Sequence, residues 1–213
     1  MLTGTGATSD TVIVDWGVGN IGSVANAVRL AGGTAEISAS PERIAVARRL
    51  ILPGVASFDA AVAGIDRLGL REVLGGRVIG EGVPTLGICL GMQLLFDGSD
   101  EGGGAGFGWL SGRVRRFSPS PALRLPHMGW NTLEGARACP LLEGLPPRSR
   151  FYFVHSFHLD AADGPTVVAC CDYGYRFAAV VQSGNLFGVQ FHPEKSHQAG
   201  LRLIANFLSV ASP

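Results

Sequence analysis

From Val12 to Phe96 short apolar runs alternate with helical patterns, and this alternation leaves few folds open. Val12 to Trp16 is a strand-length apolar run, and Ile21, Val24 and Val28 follow at helical spacing until Gly32-Gly33. Thr34 to Ser38 reads as a second strand. Ser40-Pro41-Glu42 supplies an N-cap, a proline at the first helical position and an acid in the first turn. Arg49 to Leu52 gives a third strand, a helix follows from about Ser57 to Ile65, and a helical or looped stretch reaches Gly82. Val83 to Ile88 then forms a buried strand feeding a helix over Leu90 to Phe96. Strands joined through helices make right-handed crossovers, so the pattern predicts an α/β fold with a parallel sheet covered on both faces.

Beyond the glycine-rich stretch Gly102 to Gly108, read as a surface loop, the texture turns to strands. These are Arg113 to Phe117, Trp130 to Leu133, Arg150 to His155, Val167 to Tyr173, and the pair Phe177 to Gln182 and Leu186 to Phe191 joined by Ser183-Gly184-Asn185. A last helix starts near Ser196. Met1 to Asp10 is small and polar, without the basic start and apolar stretch of a secretory signal, and reads as a frayed tail before a single domain over 11–213.

Composition narrows the chemistry. Seventeen Lys and Arg balance seventeen Asp and Glu, so there is no net field to attract nucleic acid or an anionic membrane. Thr85 to Phe96, the longest nearly apolar run, is about half of the ~20 residues a spanning helix needs. The four cysteines form no C-x-x-C pair, which argues against zinc and a disulfide framework and for a reducing, cytoplasmic setting. No metal and no cofactor is expected.

Gly87-Ile88-Cys89-Leu90-Gly91 sets a nucleophile between glycines at a strand-to-helix junction, the form of a nucleophile elbow with cysteine in the place of serine. Such a turn strains the nucleophile's backbone and needs neighbours without side chains. Cys89 would sit at a helix N-terminus, which favours thiolate, with the Leu90 N–H free to face an oxyanion. A cysteine nucleophile needs a base and an orienter. His192 closes the apolar run Leu186 to Phe191, and an extended path through Pro193 would project Glu194 to the same side, suiting a Cys-His-Glu triad. Gly17-Val18-Gly19-Asn20-Ile21-Gly22 also matches the dinucleotide fingerprint G-x-G-x-x-G, with Glu36 further on, although Asp15-Trp16 separates the strand from the first glycine.

These segments resemble the class-I triad glutamine amidotransferases, in particular the glutaminase subunits of imidazole glycerol phosphate synthases. The resemblance spans nearly everything after Asp10 and is carried by Val14 to Asn20, Pro53-Gly54-Val55, Gly87 to Leu95, Pro126 to Asn131, Tyr152 to Ser156 and Gly188 to Ser196. It implies a flavodoxin-like mixed sheet flanked by helices. It makes Cys89 the nucleophile on the side-chain amide of glutamine, His192 the proton shuttle and Glu194 its orienter. The N–H groups of Leu90 and Val55 would hold the oxyanion, and Gly54, Gln93, Ser156 and Phe157 would bind the substrate. The implied partner is a (βα)8-barrel cyclase forming a heterodimer, docked at Asn20, Trp130, Tyr152, His155 and Lys195. It would use the ammonia, with a phosphoribulosyl-formimino aminoimidazole carboxamide ribotide, to make imidazole glycerol phosphate and aminoimidazole carboxamide ribotide. The glycine fingerprint then becomes an interface loop. Ala56 stands where the family usually has glycine. Two alternatives stay open at this point: a subunit of the same complex that binds without turnover, and a dinucleotide-binding oxidoreductase.

Overall fold

Thr11–Val14 (β1) is buried at every position and sends Val12 and Val14 to one face of a sheet and Ile13 to the other. Burial on both faces is why the strand reads as continuously apolar rather than alternating. The computed structural model describes residues 9–17, 19–118, 123–160 and 164–212. Among them Ile21–Leu30 (α1), Glu36–Ser38 (β2), Pro41–Ala45 (α2), Arg49–Leu52 (β3), Phe58–Arg67 (α3), Leu70–Gly75 (α4), Thr85–Ile88 (β4) and Leu90–Gln93 (α5) follow in turn. The side-chain hydroxyls of Ser40 and Ser57 accept from the N–H groups of Arg43 and Ala60, capping α2 and α3 at the predicted places.

The second half contributes Gly98–Ser99 (β5), Arg113–Arg116 (β6), His127–Thr132 (β7), Arg150–His155 (β8), Phe157–Leu159 (β9), Val167–Asp172 (β10), Arg176–Ser183 (β11), Leu186–Val189 (β12) and the terminal helix His197–Leu208 (α6). Seven strands make the main sheet, in the order β10-β11-β12-β4-β3-β1-β2. β12, β4, β3, β1 and β2 run parallel, β11 lies antiparallel beside β12, and β10 at the edge is antiparallel to β11. The sheet is therefore mixed. On one face Val12, Val14, Leu50 and Leu52 meet Phe58, Ala61 and Ile65 of α3 and Leu70 and Leu74 of α4. On the other, Ile13, Ile51, Leu86 and Ile88 meet Val24 and Val28 of α1 and Leu203, Ile204 and Phe207 of α6.

Local details depart from the sequence reading. The helix expected to run to Phe96 stops after Gln93, because loop amides take the carbonyls its continuation would offer: Phe107 N–H bonds Leu94 O, Leu110 N–H bonds Leu95 O and Gly108 N–H bonds Phe96 O. The segment Gly102 to Gly108 is accordingly not a loose surface loop. The Asp59 carboxylate accepts from the N–H groups of Gly103 and Gly104, and the Arg71 guanidinium donates to the carbonyls of Ala105 and Gly106. β7 begins three residues before the expected Trp130, paired with β8 along its whole length. β5 and β9 had no sequence signal. Of the expected tail, residues 1–8 lie outside the described residues. Ser9 and Asp10 are already tied in, through Ser9 Oγ to Thr34 O at 2.8 Å and Asp10 O to the N–H groups of Arg48 and Arg49. No helix among the described residues is long and apolar enough to cross a membrane.

Candidate active site

Parallel pairing of β4 with β12, Gly87 opposite Gly188 and Ile88 opposite Val189, brings two chain segments about a hundred residues apart out of the sheet at the same carboxyl edge. Ligands of open α/β sheets bind at such edges. Cys89 leaves β4 with φ 52° and ψ −106°, a conformation a non-glycine residue adopts only at a cost of order 1–3 kcal/mol. Its backbone is pinned on both sides, by its own N–H to Val189 O at 2.7 Å and by Gln93 N–H to its carbonyl at 3.1 Å. The flanking glycines are there for closeness. A Cβ on Gly91 would fall 1.8 Å from Leu52 O, and one on Gly54 would fall 2.4 Å from Leu90 Cβ, so the elbow packs directly on β3 and on the segment after it. With only four residues, α5 carries little of the macrodipole expected to favour the thiolate.

The charge partner comes from β12. His192 follows that strand, and its Nδ1 donates to Glu194 Oε1 at 2.8 Å with both side chains almost wholly buried. The route differs from the extended path expected. Pro193–Lys195 is a single 3-10 turn, closed by Lys195 N–H to His192 O and Ser196 N–H to Pro193 O, and the pair forms across that turn. The frame is locked to β8, where His192 N–H donates to Tyr152 O at 2.9 Å. The Ser196 hydroxyl donates to His192 O at 2.6 Å and accepts from Tyr152 N–H at 3.0 Å. His192 Nε2 is buried without a hydrogen-bond partner among the described residues. Burial alone would lower the imidazole pKa. The neighbouring Cys89 sulfur and the Glu194 carboxylate outweigh it and raise the ring to about 10, so imidazolium is the favoured form beside the sulfur.

Cys89 and His192 open onto one cavity of about 240 Å³, walled also by Gly54, Val55, Leu90, Gln93, Ser156 and Phe157. This lies just below the roughly 300–1,000 Å³ of drug-sized ligand sites, a size for an amino acid. Gln93 Nε2 donates to the Phe157 carbonyl at 3.0 Å and to Gln190 Oε1 at 3.1 Å. Two polar groups, one on the wall and one behind the nucleophile, went unseen in the sequence. Glu101 brings a carboxylate whose Oε2 also accepts from Phe58 N–H at 3.0 Å, and Gln190 is wholly buried with its Nε2 3.6 Å from Cys89 Sγ. Glu101 sits just before the tied glycine segment and Gln190 in a run read only as apolar strand, so neither carried a local signal.

The expected docking residues divide. Asn20 and Lys195 are exposed, Trp130 is 37% exposed and Tyr152 is half-buried. Lys195 Nζ lies 5.9 Å over the Tyr152 ring, and Trp130 stacks on His197 at 4.9 Å. His155 does not belong with them. It is 6% exposed on the cavity wall, its Nδ1 donating to the Phe157 carbonyl at 2.8 Å, which leaves Nε2 to accept from His127 Nδ1 at 3.1 Å. In the glycine fingerprint, the Asp15 carboxylate accepts from Gly17 N–H at 2.8 Å, setting a negative charge where a pyrophosphate would have to sit. Val18 lies outside the described residues. All four cysteines are buried.

The buried histidines set an acid limit on the fold. Burial lowers His155 to about 3 and His127 to about 4, so below about pH 6.5 the unfolded chain takes up protons that the folded one refuses. Stability therefore falls as the pH drops. His155 alone is expected to cost about 2 kcal/mol at pH 5 relative to pH 7. Urea unfolding at the two pH values reads this, and His155→Gln, which keeps a donor for Phe157 O, should flatten the dependence. Equal stabilities of the parent protein at both pH values would refute it.

The family model described as glutamine amidotransferase class-I matches residues 12–211. The chain is 42% identical over 199 residues to imidazole glycerol phosphate synthase subunit HisH 2 of Methanococcus maripaludis, covering 93% of this chain and 98% of that one. It is 45% identical over 206 residues to the HisH subunit of Salinibacter ruber, covering 94% of each. Among solved structures, a glutamine amidotransferase superposes with a TM-score of 0.73 at 22% identity, over 92% of this chain and 96% of the other. PurLQS from Thermotoga maritima does so with 0.69 at 18%, over 93% and 96%. At those identities the structural likeness speaks for the fold, while the sequence likeness extends over nearly the full length of both partners. The chain belongs to the class-I glutamine amidotransferases and, within them, to the HisH subunits of imidazole glycerol phosphate synthase.

Proposed function

We propose that this protein hydrolyses the side-chain amide of glutamine at Cys89 and hands the ammonia to a cyclase subunit in histidine biosynthesis. One observation carries the reading: a cysteine held at φ 52° shares a cavity with a buried His192-Glu194 ion pair. The Cys89 sulfur attacks the amide carbon, and the oxyanion forms against the N–H groups of Leu90, at the first helical position, and of Val55. His192, protonated and oriented by Glu194, delivers its proton to the leaving nitrogen, so ammonia departs and a γ-glutamyl thioester remains. Water enters, His192 takes its proton, glutamate leaves and the sulfur is restored.

The remaining wall groups suit the rest of glutamine. With both Gln93 donors taken by Phe157 and Gln190, its Oε1 is the atom left to accept from a substrate N–H. Glu101 offers the charge to meet an α-ammonium, and backbone at Gly54, Ser156 and Phe157 completes the substrate surface. Asn20, Trp130, Tyr152 and Lys195 form the face for a (βα)8 cyclase in a cytoplasmic heterodimer. Direct transfer across it keeps ammonia from being protonated in bulk water. Co-purification with a candidate cyclase tests the assembly, followed by product formation with glutamine as the sole nitrogen donor. Glutamine is expected to replace ammonium salts. Product formed only with added ammonium would overturn the reading.

A further inference from the structure

Gln190 has no part in the chemistry above, yet its side chain bonds both the nucleophile and a substrate-facing group. It is wholly buried, its backbone N–H is fixed to Ala179 O at 2.9 Å, and its carboxamide bridges Cys89 Sγ through Nε2 at 3.6 Å and Gln93 Nε2 through Oε1 at 3.1 Å. The longer contact suits the larger sulfur atom. Only one orientation of each amide satisfies the network. The Phe157 carbonyl can only accept, so Gln93 must turn its nitrogen inward, and Gln190 must answer that nitrogen with oxygen and give its own N–H groups to the sulfur. The reverse orientation of Gln190 would set donor against donor at Gln93.

From this bridge we infer that Gln190 is a positioning residue with two separable tasks: its N–H holds the Cys89 sulfur in place for attack, and its oxygen fixes the polarity of Gln93 toward glutamine. The inference rests on the glutaminase reading only for its second task. The first is a property of the free protein, and Gln190→Glu separates the two. That variant keeps an oxygen for Gln93 but replaces the donor facing the sulfur with a second oxygen, whereas Gln190→Leu removes both.

Site-resolved alkylation of Cys89 by iodoacetamide at pH 7, without glutamine or partner, should slow at least about threefold in both variants, as expected when the hydrogen bond that orients the sulfur is lost. In glutamate release with the cyclase bound, Gln190→Glu should lower kcat with little change in KM, while Gln190→Leu should also raise KM several-fold. Alkylation at the parent rate in a folded variant overturns the first task, and an unchanged KM in Gln190→Leu overturns the second. A parent protein that releases no glutamate defeats the glutaminase reading and leaves the alkylation result standing. Should neither variant fold, side-chain amide NMR of the parent decides the first task. The Gln190 N–H resonances should move when Cys89 is alkylated, and unmoved resonances overturn it.

Discussion

Cys89→Ala should release glutamate at least about 10⁴-fold more slowly than the parent protein in the presence of the cyclase and its nucleotide ligand, while binding the cyclase equally well. The magnitude follows from the way a nucleophile and its base act as one unit, so that removing the nucleophile forfeits nearly all the benefit of the pair. What survives is the oxyanion contacts and substrate binding, worth some 10³–10⁴ over water in such sites. Steady-state glutamate assays with a coupled dehydrogenase give the rate, and gel filtration with the cyclase gives the binding. Rates within tenfold of the parent would remove Cys89 from the chemistry.

Gly91→Ala is expected to have the largest effect on stability, a loss of roughly 3–5 kcal/mol, above the ~1–3 kcal/mol usual for an overpacked core because backbone itself must give way. The new methyl would lie 1.8 Å from Leu52 O and 2.7 Å from its carbon, both backbone atoms of a central strand that cannot step aside. Gly75 provides the contrast within the same protein. It is helical, at φ −59° and ψ −45°, and nothing lies within 4 Å of its Cβ position, so Gly75→Ala should gain about 0.4–1 kcal/mol. Urea midpoints and soluble yield measure both. A Gly91→Ala protein as stable as the parent would mean that β3 and α5 are not packed as described.

The inner strands β1, β4 and β12 were legible because they are buried on both faces and so almost wholly apolar, and α2 and α3 because Ser40 and Ser57 announce their caps. The triad was legible for a similar reason: glycines crowd around Cys89, and His192-Pro193-Glu194 interrupts an apolar run. What the sequence hid depends on distant partners. Asp59 and Arg71, forty residues upstream, turn the Gly102 to Gly108 segment into a fixed wall and cut α5 short at Gln93. His155, placed by resemblance on the docking face, is drawn inward by the Phe157 carbonyl and His127. Glu101 and Gln190 acquire their places only when loop and strand close over the cavity.

The pairing of β12 with β4 also fixes when the chemistry can exist. Residues 186–189 meet residues 85–88 in the middle of the sheet, and only then does His192 reach Cys89. Closing a loop of about a hundred residues is entropically dear, so this contact belongs to the late part of folding. A growing or half-folded chain therefore carries Cys89 without its histidine, and the two share a cavity only in the finished fold. Recovery of glutaminase activity during refolding becomes a clock for the completion of the sheet rather than for the formation of its first half.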